Sequence, residues 1–155
     1  MEHILVKKWR ALREGETDFE ANCAQFVALL KQELDDVSWV GFYWNKEDCL
    51  VVGAYQGPVA CSRFPNHQGV CGSAYQKGTT LIVPDVHDFP GHIACDPKAR
   101  SEIVVPIKTP SEQMVGVLDL DSYSLARFTE EDKSLLETLV NDFSEHTSWP
   151  AWARS

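Results

Sequence analysis

The sequence predicts an α+β fold, a mainly antiparallel central sheet with N- and C-terminal helices on one face. Three observations carry this prediction. Aromatic and β-branched runs come in close pairs joined by short polar turns, so the strands connect as hairpins. Apolar residues recur at helical spacing near both ends of the chain. Strand–helix–strand alternation, the signature of a parallel sheet, is missing.

The first element is a helix from about Asp18 to Leu34. Thr17 with Glu20 three residues on has the form of a capping box. Phe19, Cys23, Phe26, Leu30 and Leu34 follow at spacings of 4, 3, 4 and 4, one apolar stripe. Cys23 lies in that stripe and reads as a small core hydrophobe. Ser38 to Trp44 is a strand, Asn45 to Asp48 a polar turn, and Cys49 to Tyr55 the return strand of a hairpin. Cys49 sits at the strand edge and reads as structural. Gln56 to Gly69 is a loop, and Cys71 to Lys77 a short helix ended by Gly78. Thr79 to Val83 is a strand. Pro84 to Arg100 is a long irregular stretch, the kind that in a compact domain serves function. Glu102 to Lys108 and Met114 to Asp121 form a second hairpin. A last helix runs from about Glu130 to His146, capped by Thr129, with Leu135, Leu136, Leu139, Val140 and Phe143 on one face. The terminal helices then cover one face of the sheet, and the loops gather on the other, with any pocket.

Composition narrows the function classes. The 155 residues are 44% hydrophobic and 24% charged, which fits one globular domain over 1–155 and excludes a disordered chain. No apolar run approaches the ~20 residues of a membrane helix. The segment MEHILVKKWR lacks the apolar stretch of a signal peptide. The net charge of −9 repels phosphate, so neither a nucleic acid nor an anionic membrane is the expected partner. An odd count of five cysteines without a secretion signal suits a reducing, cytoplasmic setting.

Three cysteines fall in loop contexts: Cys61 after Gly57-Pro58-Val59-Ala60, Cys71 between Gly69 and Gly72, and Cys95 after His92-Ile93-Ala94. Three readings stand open. With His67, His87 or His92 they make a zinc set, but the close Cys-x2-Cys pairs typical of structural zinc are missing. They are also readable as inert buried thiols. As a redox set, one acts as a thiolate nucleophile and another reaches its oxidised form. Cys71 at a helix N-terminus has a dipole that favours thiolate. Asp119 and Asp121 alternate along Val115 to Asp121 and so share one strand face. Two acids on a largely apolar strand are costly unless they meet water or a ligand. Glu102 opens another apolar strand. Such acids suit a cationic group, or a proton donor to a leaving oxygen. Trp39 and Tyr43 lie at i and i+4 on one face of the first strand, as core or as pocket wall.

The segments GPVACSRF (57–64), GVCGSA (69–74), VPDVHDFPGHIACDPKARSEIVVPI (83–107) and GVLDLDS (116–122), with SWVGFYW, resemble the free methionine-(R)-sulfoxide reductases, small enzymes of the GAF fold. The resemblance runs from about Phe19 to Phe143. It implies a GAF-like fold and an enzyme that reduces free methionine sulfoxide. It implies that Cys95 is the nucleophile, that Cys61 is the principal resolving thiol and that Cys71 is an alternate resolver. It implies a Cys61–Cys95 disulfide in one state, reset by a thioredoxin-like dithiol. Glu102, Asp119 and Asp121 match acids of the family's substrate pocket, and Trp39 and Tyr43 match aromatics at the methylthio end. No metal or organic cofactor is implied. A homodimer is compatible with it, with Trp149 and Trp152 as candidate contacts. SRFPNHQGV, between the first two cysteines, is more polar than the family pattern. The competing reading is a non-catalytic GAF module that senses a small ligand or redox state, for which a partner domain and linker are expected.

Overall fold

Side chains on the long strands alternate between two apolar faces, and the fold follows from covering both. The computed structural model describes residues 2–93 and 95–154, so Ala94 of the HIACD motif lies outside the described residues. Its strands are β1 (Trp39–Lys46), β2 (Cys49–Gln56), β3 (Arg63–Pro65), β4 (Leu81–Val83), β5 (Ser101–Lys108) and β6 (Met114–Ser122). Its α-helices are α1 (Ile4–Arg13), α2 (Phe19–Glu33), α3 (Gly69–Lys77) and α4 (Glu130–His146). The strands pair antiparallel in the order β3-β2-β1-β6-β5-β4. Both expected hairpins form, and β6 joins them by pairing with β1.

The helix face is the main core. Val40, Phe42 and Trp44 of β1, with Ile103, Val105, Ile107, Leu118 and Leu120, meet Cys23, Phe26, Val27 and Leu30 of α2 and Leu136, Leu139 and Phe143 of α4. The rings of Phe26, Phe42 and Phe143 lie 5.1 to 5.6 Å apart. Each fully buried ring or leucine contributes roughly 1.5–3 kcal/mol by leaving water. Thr129 and Asp132 cap α4 reciprocally, Thr129 Oγ1 accepting from the Asp132 amide at 3.2 Å and the Asp132 carboxylate from the Thr129 amide at 2.9 Å.

Three expectations are corrected. The α2 cap is Asp18, not Thr17: its carboxylate accepts from the Ala21 amide at 2.9 Å, and no Thr17–Glu20 box forms. The chain opens with a helix that the reading from Asp18 passes over. Leu5, Val6 and Trp9 of α1 are buried, and Arg10 and Arg13 donate to the buried Asp142 of α4. Of the two candidate contacts for a second copy, Trp149 is not free for a partner, while Trp152 stays partly exposed. Trp149 is buried against Phe19 and Trp44, its Nε1–H donating to the Ser144 carbonyl at 3.0 Å. Trp152 is half-buried on the same two rings.

The opposite face carries Trp39, Tyr43, Leu50, Phe64, Val104 and Val117, covered by Val70, Cys71 and Ala74 of α3. A helix therefore joins the loops on this face. Among the described residues no helix is long and apolar enough to cross a membrane.

Candidate functional site

Register places the acids. Asp121 of β6 stands between Trp39 of β1 and Glu102 of β5, and Asp119 between Gly41 and Val104. Directly opposed residues share a face, so Glu102, Asp119 and Asp121 converge on the α3 side of the sheet. Glu102 and Asp119 are each only 5% exposed, and Asp121 is half-buried. Cys71, in the first turn of α3, brings its Sγ to 4.0 Å from Glu102 Oε2. One ligating atom from each of Cys71, Glu102 and Asp119 lies within 4.8 Å of the others. Asp119 Oδ1 is buried without a hydrogen-bond partner.

Burial governs the protonation of this cluster. It pushes Glu102 well above the usual carboxylate range, and the charge of Asp119 adds to the push. Asp119 moves the same way through burial and then Asp121. Asp121 is raised by burial and then by Glu102. The thiolate expected at Cys71 is a further correction. Burial, then the charges of Asp119 and Glu102, raise its thiol well above its ordinary value and outweigh the helix dipole.

The aromatic wall depends on a missing side chain. Trp39 stacks on Tyr43 at 5.7 Å and on Tyr55 at 5.3 Å. Its ring folds over Gly41, where a Cβ would lie 2.5 Å from the ring and 2.4 Å from Tyr55 Cβ. The polar ends of the same two residues hold the next loop. Trp39 Nε1–H donates to the Pro58 carbonyl at 3.1 Å and the Tyr43 hydroxyl to the Cys61 carbonyl at 3.2 Å.

That loop meets the long segment before β5. Cys61 and Cys95 form a disulfide with Cα atoms 5.4 Å apart. Asp96, next to Cys95, accepts from the Tyr123 hydroxyl at 2.9 Å and from the Lys98 amide at 3.0 Å. At the loop's base, the Val86 amide donates to the Arg100 carbonyl and the Arg100 amide to the Ser122 carbonyl, both at 2.8 Å. Cys95 of the bridge lines a cavity of about 50 Å³ that also has the three acids, Cys71, Trp39 and Tyr43 in its walls.

All eight residues singled out from the sequence therefore line or border one cavity. Cys23 and Cys49 lie elsewhere, Cys23 in the main core and Cys49 on β2. Phe64, Val70 and Ile93 also line the cavity and were missed, as does His92, which the sequence offered only as a zinc ligand. For Ile93 a signal exists: Gly69 has φ +71°, and Ile93 packs 3.1 Å from the position its Cβ would take. His67 and His87 stay outside, His87 paired with Asp85.

Residues 16–146 match the model of the GAF domain family. The chain belongs to this family. Its GAF relatives include the free methionine-R-sulfoxide reductase of Escherichia coli (strain K12), 46% identical over 136 residues, 88% of this chain and 82% of the relative. Among solved GAF-fold structures, the reduced form of fRMsr of Staphylococcus aureus superposes with a TM-score of 0.89 at 41% identity over 94% of each chain. The free methionine-R-sulfoxide reductase from Neisseria meningitidis in complex with its substrate gives 0.86 at 42% identity, over 90% of this chain and 84% of that one. The six-stranded antiparallel sheet and four α-helices are the GAF architecture of these structures.

Proposed function

We propose that this chain reduces free methionine-(R)-sulfoxide to methionine. The observation that carries the reading is the Cys61–Cys95 bridge over a buried pocket walled by three carboxylates and two aromatic rings. The relatives named for that reaction support it.

The sulfoxide sulfur is electrophilic, but its oxygen leaves only when protonated. In the open, reduced form the Cys95 thiolate attacks sulfur while a protonated carboxyl of the Glu102, Asp119 and Asp121 cluster donates to the oxygen. A carboxyl kept neutral by burial is suited to that step. The protonated oxygen then passes from the substrate sulfur to Cys95 Sγ as the S–O bond and the new sulfur–sulfur bond break, so methionine leaves with the electron pair and Cys95 is left as a sulfenic acid. The Cys61 thiol displaces it as water and gives the disulfide, with Cys71 as the alternate resolver. A thioredoxin-like dithiol restores both thiols by exchange. The remaining acids pair with the free α-ammonium group, and Trp39 and Tyr43 pack the methylthio end. An α-amine locked in a peptide bond has no charge to offer these acids, so methionine inside a polypeptide is excluded.

The deciding measurement is methionine release from free methionine-(R)-sulfoxide with dithiothreitol, beside the S epimer and a peptide with internal methionine sulfoxide. Turnover of the free R epimer alone is expected. A chain that binds but never turns over would be a sensing module instead.

A further inference from the structure

We propose that Cys71, Glu102 and Asp119 form a binding site for one zinc-type divalent ion, set in the wall of the cavity. The three donors come from three different elements, the first turn of α3, β5 and β6. Their ligating atoms lie within 4.8 Å of one another, and Cys71 Sγ is 4.0 Å from Glu102 Oε2. Donors around a tetrahedral zinc stand roughly 3.3–3.8 Å apart, given Zn–S near 2.3 Å and Zn–O near 2.0–2.2 Å. Small side-chain rotations therefore close the site, with no movement of the sheet.

Two further observations point to a cation. Asp119 Oδ1 is buried and unpartnered, and Asp119 as a whole is 5% exposed. Leaving such an oxygen buried without a partner is unfavourable, and a metal–oxygen bond removes that cost. The described residues within salt-bridge distance of Glu102 and Asp119 include no lysine, arginine or histidine, so only protons neutralise the cluster, and a cation can replace them. The donor set selects the ion. One thiolate with two carboxylates suits zinc or cadmium, whereas magnesium and calcium prefer oxygen-only sites. Three protein ligands leave a fourth position facing the cavity, open to water. Cys71 gives up its thiol proton to solvent as the ion enters, and so does each of the two carboxyls that is protonated.

A resident ion occupies the space where the acids meet the substrate, so zinc acts as a brake on turnover. That consequence rests on the function proposed above; the binding itself does not.

The test uses the full chain with the Cys61–Cys95 bridge intact and no thiol reductant, so that neither bridge sulfur competes. Calorimetry with zinc chloride and ultraviolet absorbance with cadmium are the readouts. One ion per chain and a thiolate-to-cadmium band are expected. Cys71→Ser removes the band. Glu102→Gln and Asp119→Asn, which keep shape, each weaken zinc at least tenfold and keep the band. Cys49→Ser and Cys23→Ser change neither. No binding by the wild-type chain, a band that survives Cys71→Ser, or a band lost in Cys49→Ser overturns the proposal. The thermal midpoint of each variant, read alongside, identifies any that has failed to fold, and the wild-type result then decides alone. Ion binding without any sulfoxide turnover sinks the reductase reading and leaves this site standing. Turnover without ion binding does the reverse.

Discussion

Glu102 and Asp121 face each other directly across the β5–β6 ladder, on the side of the sheet that lines the cavity. Like charges at opposed positions destabilise a sheet, so the pair is held by sharing protons and not by two full charges. Replacing one acid by its amide separates two roles. If Asp121 or Asp119 donates the proton, its Asn variant loses on the order of 10²-fold or more in kcat/KM. If it only holds the α-ammonium, KM rises and kcat is largely kept. Unchanged kinetics in Glu102→Gln, Asp119→Asn and Asp121→Asn together would falsify a catalytic role for the cluster.

The same burial sets a stability profile. Glu102 and Asp119 bind protons more tightly in the folded chain than in the unfolded one, whose carboxyls titrate near pH 4. Their contribution is therefore complete below about pH 4 and is lost as the pH climbs toward their folded values. Urea midpoints of the wild type should fall as pH rises above about 4, and Asp119→Asn should flatten that slope. An equally steep slope in the variant contradicts the assignment.

Asp142 titrates in the opposite sense. Burial pushes its carboxyl up, but hydrogen bonds from Arg13 and Arg10 prevail and hold it below its ordinary value. Its contribution is present above about pH 4 and disappears as acid protonates it. Asp142→Asn should cost about 2 kcal/mol at neutral pH, less than a fully buried pair because Arg10 and Arg13 retain contact with water. Chemical denaturation at pH 7 and pH 3 measures it: the difference from wild type should be large at the first and small at the second.

Gly41→Ala tests the aromatic wall. The added Cβ falls 2.5 Å from the Trp39 ring and 2.4 Å from Tyr55 Cβ, so Trp39 must leave its stack and swing into the cavity. A loss of about 1–3 kcal/mol is expected from the overpacking. KM for the free sulfoxide should rise more than kcat falls, because the displaced ring takes substrate space. Near-UV circular dichroism reports the moved tryptophan independently. A wild-type KM would show that Trp39 lies outside the binding volume.

What the sequence made legible was local. The two hairpins, the Thr129 cap and the shared face of Asp119 and Asp121 all follow from alternation and cap chemistry within a few residues. What it hid was long-range. The three buried residues of α1 are masked by Lys7, Lys8, Arg10 and Arg13, and their partners lie on α2 and α4. Arg63–Pro65 is too short to announce a strand until β2 supplies the pairing. Cys71 was misjudged for the same reason. Its helix position is local information, while the three acids that keep its thiol protonated arrive from two strands far along the chain. Trp149 looked like a contact for a second copy because its partners, Phe19 and Trp44, are more than a hundred residues away.

The division of labour among the cysteines is separable by counting methionine in a single turnover. Cys95 sits in the long segment anchored by Asp96 to Tyr123, and its sulfur meets Cys61 at the cavity wall. Cys71 lies deeper, buried beside Glu102, with its thiol held protonated. A buried neutral thiol is a poor attacking group, which supports the proposal that the half-exposed Cys95 takes the first step. Cys95→Ser should therefore release no methionine even once. Cys61→Ser should release up to one methionine per chain quickly and then slow, because chemistry precedes resolution. Any residual turnover of that variant should depend on Cys71 or on a strong external thiol. Peptide mapping after one equivalent of substrate should find the Cys61–Cys95 bridge in the wild type. It should find a Cys71–Cys95 bridge, if any, in Cys61→Ser. A burst that survives in Cys95→Ser and vanishes in Cys71→Ser would transfer the nucleophile to Cys71. That outcome would require the three acids to leave its thiol free to ionise, against the burial and the charges that surround it.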